Sequence, residues 1–373
     1  MSASAQPNAN GVARLRAALI RILKGSLAAG ASDVHLRAFH SPVVRMNGTL
    51  RPLDHAELPP HFVEVARDLL GGWAAETDER LAQLQGDFAC EVPEAGRFRV
   101  HHYRQANTAA LVLRAIPDPI PAFAELRVPP VCKFLAGIDR GLVLVTGSTG
   151  HGKSTTIASL LERVNQELPR HVVTVEDPIE FIFNEHRSTF SQRQVGRDVE
   201  DLRAGLIGAL REDPDWIFVG ELRSVEDFEL ALSAAEAGHV VVSTMHAKDA
   251  SSAIQRIINA FPPTQRDSAR ERLAEALAGL IAQRLVPRRG AKERVLVTEV
   301  LVRAPTVQDC IRDTSRFRGL RAAMESGTSE YGTHTFDQQL LQMVRDQVIT
   351  PDTARTAAIN PNDLVRAIKM QRL

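Results

Sequence analysis

Gly147-Ser148-Thr149-Gly150-His151-Gly152-Lys153-Ser154 is the stretch from which this chain is read. Its spacing is G-x-x-x-x-G-K-[ST], the pattern of a phosphate-binding P-loop. Leu142-Val143-Leu144-Val145 precedes it, an apolar run short enough for a buried parallel strand. Behind it, Ile157, Leu160, Leu161 and Val164 fall on one face of a helix. Strand, glycine loop and helix in that order are the context the motif needs. The glycines let the backbone curl so that successive N–H groups, helped by the helix N-terminus, point at phosphate oxygens. The expected nucleotide contacts are Gly147, Ser148, Thr149, Gly150, His151, Gly152, Lys153, Ser154 and Thr155. Lys153 reaches the β- and γ-phosphates and Ser154 holds Mg²⁺, so ATP and Mg²⁺ are the implied cofactors.

Working outward, apolar runs at 172–175, 216–219 and 240–243 alternate with amphipathic segments. That alternation predicts a parallel sheet with helices on both faces. Residues 268–285 and 336–348 read as helix, and the chain is expected to end in a small helical subdomain. Toward the N-terminus the pattern changes. Leu15, Leu19, Ile22 and Leu23 repeat at helical spacing, and 31–36 and 43–46 alternate as strands. Asn47-Gly48 predicts a hairpin turn into 49–50. Helices are expected at 60–70 and near 78–84, and strands at 88–92, 97–103 and 109–116. This part predicts an α+β unit with an antiparallel sheet. Pro117, Pro119 and Pro121, then Pro129 and Pro130, mark a linker. The expected organisation is a disordered tail at 1–10, a first domain at 11–116, a proline-rich linker at 117–130 and an α/β domain at 131–373.

Lys+Arg and Asp+Glu both number 45 in the 373 residues, so no net field favours nucleic acid or an anionic membrane. Aromatics make up 5%, which leaves little for base stacking and disfavours a nucleic-acid translocase. Cys90, Cys132 and Cys310 are far apart and form neither a zinc motif nor a disulfide framework. No apolar stretch approaches the ~18 residues of a membrane span, and residues 1–10 lack the apolar core of a signal peptide. A soluble, cytoplasmic protein is expected, without direct membrane insertion.

Hydrolysis at a P-loop needs a carboxylate for Mg²⁺ and a base or orienting group for water. Glu221 ends the run Trp216-Ile217-Phe218-Val219-Gly220-Glu221, and Glu176 ends Val172-Val173-Thr174-Val175-Glu176. Strand ends are where an open α/β sheet places its ligands. Either acid could instead be a solvated strand end. His246 closes Val240-Val241-Val242-Ser243-Thr244-Met245-His246 at the same expected edge, where an imidazole could sense the γ-phosphate.

Residues 146–156, the stretch from Val175 to Phe181, residues 210–223 and residues 238–246 come in order. They resemble the Walker A, Asp-box, Walker B and His-box motifs of the type II/IV secretion and pilus ATPases, most of all the PilT-like pilus retraction ATPases. Ala31-Ser32-Asp33-Val34-His35-Leu36, Arg97-Phe98-Arg99-Val100 and Thr335-Phe336-Asp337 extend the resemblance over most of the chain. It implies a homo-hexamer whose subunits carry an N-terminal PAS-like domain and a RecA-like ATPase domain. It also implies an inner-membrane platform protein as partner, with a paralogous ATPase possible, and association with the inner membrane through partners. Residue by residue, it makes Glu176 the base for water, Glu221 the Walker B carboxylate and second Mg²⁺ ligand, and His246 the His-box residue with His239 as helper. Arg99 and Arg114 match the family's γ-phosphate-contacting arginines, a role that suits a planar permanent cation.

The chain departs from the pattern at three places. His151 stands where the family has a small serine, and Ser224 where it often has Asp. Pro305-Thr306-Val307-Gln308-Asp309-Cys310-Ile311-Arg312 replaces the Ala-Ile-Arg-Asn-Leu-Ile-Arg stretch of retraction motors, Gln308 taking the place of the first arginine. These departures leave open a PilU-like accessory motor, a DotB-like secretion ATPase and a non-catalytic ring subunit.

Overall fold

Alternating residues in the first third of the chain form an antiparallel sheet in the computed structural model, which describes residues 9–46, 48–291 and 293–371. Its strands are β1 (Asp33–Arg37), β2 (Val43–Met46), β3 (Thr49–Pro52), β4 (Gln85–Val92), β5 (Gly96–Gln105) and β6 (Thr108–Ala115). They lie in the order β3-β2-β1-β6-β5-β4, each antiparallel to its neighbours. On β5, Phe98 and Val100 are buried while Arg97, Arg99 and His101 between them are not. Helices Ala9–Ala28 and Pro60–Ala74 supply the other half of this core, with Leu19, Leu23, Phe62 and Leu70 packed against Leu36, Phe98 and Leu113. Fully burying each such side chain is worth about 1.5–3 kcal/mol.

The second sheet holds β7 (Gly141–Thr146), β8 (His171–Glu176), β9 (Thr189–Gln194), β10 (Trp216–Glu221), β11 (Val240–Met245), β12 (Leu277–Pro287) and β13 (Arg294–Val302). Their order is β13-β12-β7-β11-β10-β8-β9, all parallel except β13 against β12. The central strands are buried along almost their whole length, Trp216 included, as a sheet covered on both faces requires.

The structure departs from the sequence expectation in several places. Residues 268–285 are not one helix: helix Arg266–Ala276 stops and β12 begins at Leu277 with no loop between. Strands β9 and β13 were also unforeseen. The first eight residues of the expected tail lie outside the described residues, and Ala9 and Asn10 already belong to the first helix. Asn47 of the expected turn also lies outside them.

By compactness the chain divides into two units. One takes the chain up to Pro119 together with Pro178–Ile182, and the other takes Ile120–Asp177 with Phe183–Leu373. A contiguous division does not anticipate the excursion at Pro178–Ile182.

The chain ends in helices running from Pro305–Arg312 to Pro361–Met370. Glu299, on β13 and 5% exposed, ties them to the sheet. One of its carboxylate oxygens accepts from Ala250 N at 2.7 Å and the other from Phe336 N at 3.3 Å. These are the first residues of helices Ala250–Ala260 and Phe336–Arg345. Burial pushes the carboxyl up to about 7, against the pull of those N–H donors.

Candidate active site

The P-loop leaves β7 at Thr146, which pairs with Met245 of β11 on one side and Ala282 of β12 on the other. The loop, His246 and Gln283 therefore gather at one edge of the sheet. Gly147 adopts φ +149°, and a Cβ there would stand 2.6 Å from the carbonyl oxygen of Gln283, so only glycine fits. Gly150 and Gly152 also take positive φ, and Gly152 leads into helix Lys153–Glu167, whose N-terminus faces the loop. Lys153 Nζ donates to the carbonyls of Gly147 (2.9 Å) and Ser148 (3.4 Å). Ser148, Thr149 and His151 lie within the loop, and Ser154 and Thr155 in the first turn of the helix.

Three buried polar atoms beside the loop, Thr146 Oγ1, His151 Nδ1 and Gln283 Oε1, have no hydrogen-bond partner among the described residues. Buried polar groups are nearly always satisfied, so such a cluster fits a site built for a polar ligand. Gln283 Nε2 meanwhile donates to the His151 carbonyl at 2.6 Å, tying β12 to the loop. A cleft of about 340 Å³ opens beside it, lined among others by His151, Gly152, Thr155, Gln283, Leu285 and Arg294. Burial, with Arg294, Lys153 and Arg284 nearby, lowers the His151 imidazole below its ordinary value.

Glu221 ends β10. Its Oε2 accepts from Arg223 Nε (3.0 Å) and Nη2 (2.8 Å), and its Oε1 lies 3.4 Å from His246 Nε2. The other ring nitrogen of His246, Nδ1, lies 3.3 Å from the Gly147 carbonyl. His246 thus bridges the strand-end acid and the loop, and a doubly protonated ring would donate to both. On the neighbouring strand Glu176 ends β8, 7% exposed, with Oε1 accepting from Thr174 Oγ1 at 2.8 Å. Among the described residues no group of three or more His, Cys, Asp or Glu side chains could cage a metal. A P-loop site needs none, because Mg²⁺ there is held by a hydroxyl, a carboxylate and phosphate oxygens.

His239 does not join this group. Its carbonyl accepts from Gly141 N at the start of β7, and its Nδ1 lies 3.0 Å from the Ala234 carbonyl. It stands before β11 and His246 after it, so a strand length of roughly 20 Å separates them. The helper role expected of His239 is withdrawn. Arg223, Gln283 and Thr146 are the neighbours the sequence reading missed. Arg223 followed Glu221 in the quoted motif, whereas Gln283 lay inside a segment read as helix.

Arg99 and Arg114 belong to the N-terminal unit and face each other in register across β5 and β6. Each is held by acids of that unit. Arg99 Nη1 pairs with Glu180 Oε1 at 3.0 Å and its Nε lies 3.6 Å from Asp87 Oδ1, while Arg114 Nε pairs with Asp33 Oδ1 at 3.0 Å.

The family of type II/IV secretion system proteins matches residues 8–348. The type IV pilus retraction ATPase PilT of Pseudomonas aeruginosa is 36% identical over 350 residues, covering 92% of this chain and 99% of the relative. The type IV pilus ATPase PilU of the same organism is 36% identical over 352 residues, covering 94% and 91%. The crystal structure of the pilus retraction motor PilT with bound ADP superimposes with a TM-score of 0.81 at 37% identity, covering 93% of this chain and 98% of that one. The architecture is accordingly an N-terminal α+β PAS-like domain followed by a RecA-like P-loop domain with C-terminal helices. Fold, P-loop edge and sequence together make this chain a member of the type II/IV secretion system protein family.

Proposed function

We propose that this chain is an ATP hydrolase, a motor ATPase whose nucleotide cycle drives type IV pilus retraction. The observation that carries the reading is the convergence of Lys153, His246 and Glu221 at the Gly147 loop, with Glu176 on the next strand. Likeness over nearly full length to PilT, and to its ADP-bound structure, supports it.

In this reading Gly147 to Thr155 cradle the phosphates, and Lys153 exchanges loop carbonyls for phosphate oxygens. Glu176 takes the proton of the attacking water; its burial keeps competing solvent away. When bound, Mg²⁺ would neutralise phosphate charge between Ser154 and Glu221. His246 would report a change at the γ-phosphate to Glu221, since it touches both the loop and that acid. Arg99 and Arg114 would clamp phosphate oxygens by exchanging Glu180, Asp87 and Asp33 for them. The domains run 11–116 and 131–373, joined through 117–130, and six copies form the working ring. Its partners are an inner-membrane platform protein and a paralogous ATPase, with no nucleic acid. The ring works in the cytoplasm at the inner membrane. Among the described residues no helix is long and apolar enough to cross a membrane, which favours attachment through partners.

Gln308 favours a second reading, a PilU-like motor acting beside a retraction motor. Where retraction motors carry arginine, this neutral side chain donates to the Ala274 carbonyl at 3.0 Å. PilU is as similar to the chain as PilT is.

The test is steady-state ATPase activity of the purified oligomer, wild type against Glu176→Gln and Lys153→Ala. Glu176→Gln is expected to keep ATP binding and lose about 10²–10⁴-fold in kcat. Lys153→Ala should lose both. A wild-type protein that binds ATP yet never turns over, even with its partners, would sink the motor reading.

A further inference from the structure

The chain leaves the ATPase unit after Asp177, contributes Pro178–Ile182 to the N-terminal unit and returns at Phe183. Within that unit, arginines of β5 hold the excursion. Arg97 donates from Nε to the Glu180 carbonyl at 2.7 Å and from Nη2 to the Ile179 carbonyl at 3.0 Å. Arg99, on the same strand face, pairs with the Glu180 carboxylate. Ile179 and Phe181 are buried at alternate positions, which seats the segment further. The two arginines grip differently. Arg99 holds a side-chain carboxylate, an anion that phosphate can replace. Arg97 holds two backbone carbonyls with a planar fork, a grip on the main chain itself.

Both ends of the excursion are anchored in the ATPase unit. The Glu176 carbonyl accepts from Val195 N at 2.9 Å. Phe183 N donates to Gln192 Oε1 at 3.0 Å, and its ring stacks on Phe190 with centroids 4.5 Å apart. Asp177 alone separates Glu176 from Pro178. Two virtual bonds span at most about 7.6 Å, and a proline restricts the residue before it to extended conformations. The link has almost no slack.

We infer that Arg97 is a positioning residue for hydrolysis: by gripping the Ile179 and Glu180 carbonyls it ties the Glu176 carboxylate to the N-terminal sheet. Displacement of that sheet then moves the base. The inference rests on the reading of Glu176 as base given above.

The experiment uses the full-length oligomer. Arg97→Ala is expected to lower kcat roughly ten- to a hundredfold with KM for ATP within about twofold, the penalty of a group misplaced by an ångström. Arg97→Lys, which keeps the charge but not the fork, recovers only part. Two glycines inserted between Asp177 and Pro178 leave the grip intact, lengthen the link and reproduce the kcat loss. Hydrogen exchange supplies a reading independent of activity. The Val195 amide, which reports where the Glu176 backbone stands, exchanges faster in Arg97→Ala, while Val173 within β8 does not. Unchanged kcat and unchanged Val195 exchange overturn the inference, as does a kcat loss matched by an equal loss of ATP affinity. If Glu176→Gln keeps full turnover, the base assignment fails, yet faster Val195 exchange in Arg97→Ala still establishes the tie. The two failures are therefore distinguishable.

Discussion

The two sheets keep their charged side chains in different places. In the ATPase sheet, the interiors of β8 and β10 are buried and carry no charged side chain, and Glu176 and Glu221 arrive only at the last residue of each strand. His246 follows β11 in the same manner. In the N-terminal sheet, Arg97 and Arg99 on β5 and Arg114 on β6 occupy positions that alternate with buried residues. A parallel strand covered on both faces can hold a charge only at its end, whereas an antiparallel strand with an open face can carry one at every second position. The chemistry is concentrated at one sheet edge and distributed across a sheet face in the other unit.

Substitution can break or sharpen that contrast. A concentrated site should fail at single residues, so Glu221→Gln is expected to cost at least about 10²-fold in kcat. Distributed arginines should share their load. Arg99→Ala and Arg114→Ala should each cost about tenfold, and the double variant should depart from additivity by about 0.5–3 kcal/mol. Initial-rate measurements on the three variants decide it, and a single arginine as costly as Glu221 would erase the contrast.

Glu299 is the buried acid of the ATPase sheet that lies away from the P-loop edge, and it predicts a smaller, pH-dependent effect. Its folded value, about 7, lies above the ordinary carboxylate value. The folded state therefore binds the extra proton between about pH 4.5 and 7. Ionisation there costs stability, so this group's contribution falls as pH rises through that window and is constant above it. The stability of wild type relative to Glu299→Gln should fall by about 1–3 kcal/mol from pH 5 to 7.5, measured by thermal unfolding. The smallest effect expected is at His151. Burial keeps its imidazole neutral at pH 7, so His151→Ser should change the ATP dissociation constant by no more than about threefold at pH 7–8, measured by nucleotide titration.

The same contrast explains what could be read from the residues alone. An acid closing an apolar run is visible in a single sequence, so Glu176, Glu221 and the glycine loop stood out. Arg99 and Arg114 resemble any half-exposed strand arginines, and only likeness to a family distinguished them. The segment 268–285 misled for a different reason. Leu277-Ala278-Gly279-Leu280-Ile281-Ala282 is buried on both faces of β12, and such a run carries no period that separates strand from helix. Gln283 was lost with it. His239 was misplaced because likeness to a motif carried it in beside His246, although the six residues of β11 between them put the two at opposite ends of the strand.

The direct passage from helix Arg266–Ala276 into β12 has a consequence for how this protein can vary. One residue added at that joint would turn the helix by about 100° relative to the strand, or slide β12 so that its two faces exchange. The first would turn the buried face of the helix, Ala269 and Leu273, out of the core; the second would carry the carbonyl of Gln283 away from Gly147. Length changes, which surface loops elsewhere absorb, are forbidden at this point. The joint works as a ruler that sets the floor of the nucleotide loop from more than a strand's half-length away.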